Sequence, residues 1–221
     1  KSANVVFADA DLEAAAAAAP LAVFGNAGQD CCARSRILVE RNALEGFMEA
    51  LERSVQSLVV GDPLDESTQM GPLISAEQRE KVASYVEDGA PVAIRGSAPE
   101  GPGFWFPPTV LCPVSNDDRA AREEIFGPVA SVIPFDGEDE AVRIANDTIY
   151  GLSGSVWTRD GAKALRVARA LETGTISINS NTSVRVSTPF GGFKQSGVGR
   201  ELGPHALDYY TELKNVFMAT S

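Results

Sequence analysis

VASVIPF at 129–135, EDEAVRIAN at 138–146, SGSVWT at 153–158, AKALRVARAL at 162–171 and GTISIN at 174–179 decide the fold. The first, third and fifth are short, apolar and rich in β-branched residues, as buried strands are. The second and fourth carry apolar residues at helical spacing between charged ones. Strands alternating with ten-residue helices predict a mostly parallel sheet. The same alternation continues upstream. Asn4-Val5-Val6-Phe7 opens a strand, Asp9 and Asp11 offer caps for the Ala-rich run at 13–19, and 37–40 is the next strand. Leu44, Phe47, Met48, Leu51, Val55, Leu58 and Val59 form a helical stripe, followed by a turn at 61–65, a helix at 76–86 and a strand at 91–94. The expected class is therefore α/β: a doubly wound, mostly parallel sheet with helices on both faces. A β-prone segment at 213–219 adds a terminal strand suited to pairing with a second chain.

Composition excludes several functions. In 221 residues, 44% are hydrophobic and 22% charged. That is the balance of a globular protein and not of a disordered one. Thirty acidic against nineteen basic residues give a net charge of −11, and no basic patch offers a nucleic-acid or lipid footprint. Leu12–Phe24 carries Glu13 and Pro20 and is too short to span a bilayer. Without a signal-like opening, a cytoplasmic location is the default. Three cysteines with no CxxC spacing argue against a disulfide framework, and no metal-ligand set stands at a usual spacing.

Three segments carry possible chemistry. Gly28-Gln29-Asp30-Cys31-Cys32-Ala33-Arg34-Ser35-Arg36 puts a thiol after a flexible turn and before two arginines that would favour thiolate. Taken alone, the Cys pair also reads as small buried hydrophobes. In Glu123-Glu124-Ile125-Phe126-Gly127-Pro128, Glu124 could accept from ribose hydroxyls and Phe126 could lie against a flat heterocycle, or both could end a solvated helix. The Gly-rich Pro189–Glu201 stretch misses the dinucleotide fingerprint by one residue of spacing. His205 lacks triad partners and reads as structural.

Together these segments resemble one family, the NAD(P)-dependent aldehyde dehydrogenases. Gly28-Gln29-Asp30-Cys31 is similar to its catalytic-cysteine signature, Glu123 to Pro128 to its nicotinamide-ribose signature, and Pro189-Phe190-Gly191-Gly192 with Ser196-Gly197-Val198-Gly199-Arg200-Glu201 to its substrate-tunnel and C-terminal signature. Gly61-Asp62-Pro63, Met70-Gly71-Pro72-Leu73, residues 146–152 and Tyr210-Thr211-Glu212-Leu213-Lys214 extend the likeness over essentially the whole chain.

The resemblance implies oxidation of an aldehyde to a carboxylic acid with NAD or NADP through a thiohemiacetal and a thioester on Cys31. Register singles out this thiol: the family's nucleophile stands two residues after the Gly-Gln pair. Cys32, diverging by about 100°, is then expected to point elsewhere. By the same resemblance Glu124 and Phe126 bind cofactor, Glu201 is a candidate base, and Phe190, Val184 and Thr182 wall an aldehyde tunnel. Residues 1–200 would be the catalytic domain and 201–221 a tail whose strand makes a homo-oligomer. The cofactor domain and the general-base glutamate would precede Lys1, leaving the isolated chain inactive. Two other classes stay open: a CoA-acylating relative, and a catalytically silent assembly fragment.

Overall fold

The structure, a computed structural model, describes residues 1–87, 89–182 and 184–220. Seven strands build the main sheet: β1 (Ala3–Val6), β2 (Arg36–Glu40), β3 (Val92–Arg95), β4 (Thr109–Leu111), β5 (Val129–Phe135), β7 (Ser153–Trp157) and β8 (Thr175–Ile178). A separate two-stranded sheet pairs β6 (Tyr150–Gly151) with β9 (Phe193–Lys194). The main sheet runs in the order β3-β4-β5-β2-β1-β7-β8, parallel throughout except for the antiparallel β3–β4 edge.

The helices are α1 (Leu12–Phe24), α2 (Leu44–Gln56), α3 (Ala76–Ala83), the single turn α4 (Arg119–Arg122), α5 (Gly137–Asn146) and α6 (Gly161–Ala170). From β1 to β2 and β5 the chain steps one way across the sheet, and from β5 through β7 to β8 it steps back. Right-handed crossovers then put α1 and α2 on one face and α5 and α6 on the other. The packing agrees, since α1 lies on α2, and α5 lies on α6 and under β1 and β2. Capping fixes where these helices start. The Asp11 carboxylate accepts from the Ala14 N–H at 3.0 Å, and Asp160 accepts from Ala162 and Lys163.

Covered on both faces, the central strands bury nearly every residue. Phe7 meets Phe135 edge-to-face at 5.4 Å. The expected doubly wound α/β architecture is what forms, with one difference. The segment 213–219, read as a strand, has no ladder partner among the described residues and takes no strand assignment; Leu213, Val216, Phe217 and Met218 are exposed. A strand exists only by pairing, so β propensity alone cannot make one. Among the described residues no helix is long and apolar enough to cross a membrane.

Candidate active site

The parallel strands bring a set of loops together at their amino ends. Lys1 and Ser2 precede β1, Gly28 to Ser35 precede β2, Glu124 to Gly127 precede β5, and Tyr150 lies just before β7. These loops line one cavity, together with Leu152, Gln195 and Ser196. Doubly wound sheets ordinarily offer their crevice at the carboxyl ends of the strands. Here the site lies at the opposite end.

Cys31 owes its position to the turn between α1 and β2. Asn26, Ala27 and Gly28 are consecutively left-handed, with φ of +52°, +55° and +70°. For Ala27 this is a strained conformation. A reciprocal clamp holds it: the Asn26 amide donates to the Gln29 carbonyl at 3.0 Å and the Gln29 amide donates back to the Asn26 carbonyl at 3.2 Å. The Gln29 Oε1 also accepts from the Ile74 N–H at 3.0 Å. Gln29, half of the sequence signal for the nucleophile, is thus a brace. Gly28 is required for space as well as for φ, because a Cβ there would sit 2.2 Å from the Gly127 carbonyl oxygen. That contact presses the cysteine turn against the loop carrying Glu124 and Phe126.

This second loop is held from below by α3. Gln78 donates to the carbonyls of Ile125 and Phe126 at 3.0 and 2.8 Å, and the Lys81 ammonium donates to the Glu124 carbonyl at 3.0 Å. Glu123 is engaged elsewhere, accepting from the Tyr85 hydroxyl at 2.6 Å and from Arg119 at 3.0 Å. Glu124 lines the cavity. Phe126 has φ +56°, a rare state for an aromatic residue, and its side chain is exposed beside Glu124.

A second cavity shares Cys31, Leu152 and Ser196 with the first. Its other walls include Phe190, Val198, Glu201, Tyr209 and Tyr210. The β6–β9 pair and a Phe190–Glu201 bridge, 2.7 Å in both directions, carry this segment over the site. Cys31 therefore stands where the two cavities meet. Of the residues singled out from sequence, Cys31, Glu124, Phe126, Phe190 and Glu201 are gathered around this junction. Val184 and Thr182 are exposed and line neither cavity.

One expectation about the cysteine needs correction. The arginines do not address Cys31. Arg34 is buried and donates to the Cys32 carbonyl and the Ser177 hydroxyl, while Arg36, 1% exposed, donates to the carbonyls of Lys1, Ile144 and Ala145. Their alternation along an extended segment turns both into the protein, where backbone carbonyls capture them. The cation that does line the first cavity is Lys1, whose ammonium donates to the Ala120 carbonyl. Burial, and then Arg36, lower it to about 7 against the opposing pull of Glu124 and Glu123. Sequence periodicity does not show this burial, which depends on the packing of distant segments.

The paired cysteines do part company at the cavities, for Cys31 lines both and Cys32 lines neither. Cys31 is exposed and Cys32 buried, yet their sulfurs and a carboxylate oxygen of Asp30 all lie within 4.8 Å of one another. Asp30 folds this turn by accepting from the Cys32 N–H at 2.8 Å. Burial first, then the neighbouring Cys31 and Asp30, push the Cys32 thiol up to about 12. The Cys31 N–H is bonded to no acceptor among the described residues and is available to a ligand.

Comparison with known proteins places the chain among relatives. The family model described as the aldehyde dehydrogenase family matches residues 1–216. The betaine aldehyde dehydrogenase of Agrobacterium fabrum is 46% identical over all of this chain, and the 2-hydroxymuconic semialdehyde dehydrogenase of Pseudomonas sp. strain CF600 is 44% identical over 98% of it; in each case the chain spans 46% of the relative. The crystal structure of betaine aldehyde dehydrogenase from Staphylococcus aureus in complex with NAD+ superposes with a TM-score of 0.89 at 42% identity, over 95% of this chain and 43% of that one. The chain thus spans about half the length of the curated relatives it matches. By the family match over nearly its whole length, the chain belongs to the aldehyde dehydrogenase family.

Proposed function

We propose that this chain carries the cysteine-bearing part of an enzyme that oxidises an aldehyde to a carboxylic acid with NAD(P)+. One observation supports this above the others: the Cys31 thiol sits at the junction of two cavities, one offering Glu124 and Phe126 and the other Phe190 and Glu201. A substrate carbonyl entering from the second cavity would reach the thiol while its hydrogen faces the first. The residues of the first cavity fit the nicotinamide ribose end of the cofactor, with a carboxylate for hydroxyls and an aromatic side chain, held out by a strained backbone, for a flat ring. When bound, that cofactor supplies the hydride acceptor.

The remaining work falls to the chain's own groups. Cys31, as thiolate, attacks the carbonyl carbon, and its N–H donates to the oxyanion that forms. The acyl group is left on the sulfur as a thioester. Glu201, on the wall of the second cavity, accepts the proton of the water that releases the acid. Phe190, Leu152, Val198 and the two tyrosines make that cavity apolar and aromatic, which suits an aldehyde with an apolar or aromatic body. Glu124 and Phe126 contact only one end of a dinucleotide, so the chain acts as part of a longer protein and is inactive alone.

The test is to quench the full-length protein during turnover and map its peptides by mass. An acyl adduct on Cys31 is expected. An adduct on another residue, or turnover undiminished in Cys31→Ser, would overturn the assignment.

A further inference from the structure

We propose that Asp30, Cys31 and Cys32 form a binding site for a thiophilic divalent cation of the Zn2+ class. Two thiols and a carboxylate from consecutive residues converge, with their ligand atoms all within 4.8 Å of one another. Contiguous residues match no usual metal-binding spacing. The convergence comes from the turn, in which Asp30 accepts from both the Cys32 N–H at 2.8 Å and, through its carbonyl, the Ala33 N–H at 3.0 Å. Zn2+ takes tetrahedral S and O ligands at about 2.0–2.3 Å, so a modest side-chain rotation closes the set. Asp30 and Cys31 are exposed, which leaves the fourth position to solvent, as in zinc sites that keep an open position.

On binding, each thiol releases its proton to solvent as its sulfur–metal bond forms, and no electron is transferred. Glu, Ala or Ser at any of the three positions would change the ligand set, so the site is a property of this Asp-Cys-Cys order. The binding rests on ligand geometry alone. Its consequence, reversible masking of Cys31 and loss of turnover, rests on the role proposed for that thiol above.

Titration of the chain with Co2+, followed by absorption spectroscopy under reducing, metal-free conditions, tests the site directly. The expected result is thiolate-to-cobalt charge transfer with tetrahedral d–d bands, saturating near one ion per chain and displaced by Zn2+. Cys31→Ser and Cys32→Ser should each remove about half of the charge-transfer intensity and weaken binding more than about tenfold. Asp30→Asn should shift the d–d bands, and Cys112→Ser should change nothing. No tetrahedral bands at millimolar Co2+, an unchanged spectrum in Cys32→Ser, or a lost one in Cys112→Ser would overturn the proposal. Because Cys32 is buried, a wild-type measurement stands beside its variant: Zn2+ should shield Cys31 from iodoacetamide and EDTA should restore labelling, whereas labelling indifferent to Zn2+ counts against the site. Neither readout involves turnover, so they fail separately from the aldehyde chemistry.

Discussion

The two ends of the central sheet are built differently. At the carboxyl ends of β1 and β7, polar side chains stitch the chain to itself. Asp9 accepts from the Thr158 hydroxyl at 2.7 Å, the Asp160 N–H at 3.1 Å and Lys163 at 3.3 Å, and Asn179 exchanges two 3.0 Å hydrogen bonds with the Thr158 backbone. Each rim holds an asparagine in the left-handed region, Asn179 at +50° and Asn26 at +52°, but the amino ends add Ala27 and Phe126, residues that tolerate it poorly, and set Cys31 and Glu124 against cavities. The same strands thus support a closed rim and an open one. Polar groups satisfied within the fold serve stability, whereas strained backbone and unclaimed donors mark the end that meets a ligand.

Substitutions should separate the two rims. Cys31→Ala in the full-length protein should lower kcat by about 10⁴-fold or more, with little change in melting temperature, because the side chain is exposed. Equal losses of activity and stability would mean that Cys31 is a packing residue. Gly28→Ala should come next, costing about 3 kcal/mol in urea unfolding. Its φ is +70° and the new methyl would meet the Gly127 carbonyl. The substitution should also slow alkylation of Cys31, which a stability effect alone would not do.

Asp9→Ala belongs to the other rim. It should cost about 1–2 kcal/mol, reduced by partial solvent exposure, and leave Cys31 alkylation untouched. Partial burial works against the ionised form of Asp9, but hydrogen bonds from Thr158 and Lys163, the Lys163 charge and the Asp160 N–H outweigh it and hold the carboxyl below 3.8. A depressed folded value means that this stability is complete above 3.8 and is lost as pH falls through the folded value. Acid unfolding of wild type and Asp9→Ala should therefore converge at low pH. Deleting 211–220 should have the smallest effect on the single chain, within about 0.5 kcal/mol. The side chains removed are exposed. If the tail is the assembly strand expected from sequence, light scattering should nonetheless show a smaller particle.

The sheet and its helices were legible in sequence because β-strands and capped helices are local patterns, but the closed rim was not: Asp9, expected as a cap, instead bonds Thr158, Asp160 and Lys163. The apolar run at 129–135 is β5 to the residue, and Asp11 caps α1 as expected. The open rim was legible only in part. The family resemblance picked out Cys31, Glu124, Phe126, Phe190 and Glu201, with register choosing Cys31 over its neighbour. What it could not supply was direction: Arg34 and Arg36 are neighbours in sequence but are drawn into the interior, Arg36 by carbonyls of remote segments. Asp30 gathers the two thiols through one side-chain hydrogen bond that no periodicity encodes. The tail shows the limit most plainly, because its β propensity needs a partner and none pairs with it among the described residues.

Both the chemistry and the asymmetry of the sheet turn on Cys31 being the reactive group of the open rim. Substoichiometric iodoacetamide labelling of the folded, reduced chain in metal-free buffer, followed by peptide mass mapping, tests this most directly. Labelling should appear first on Cys31, the exposed thiol, ahead of the half-buried Cys112 and of Cys32, which burial and its neighbours keep protonated. Preferential labelling of Cys32 or Cys112 would contradict it.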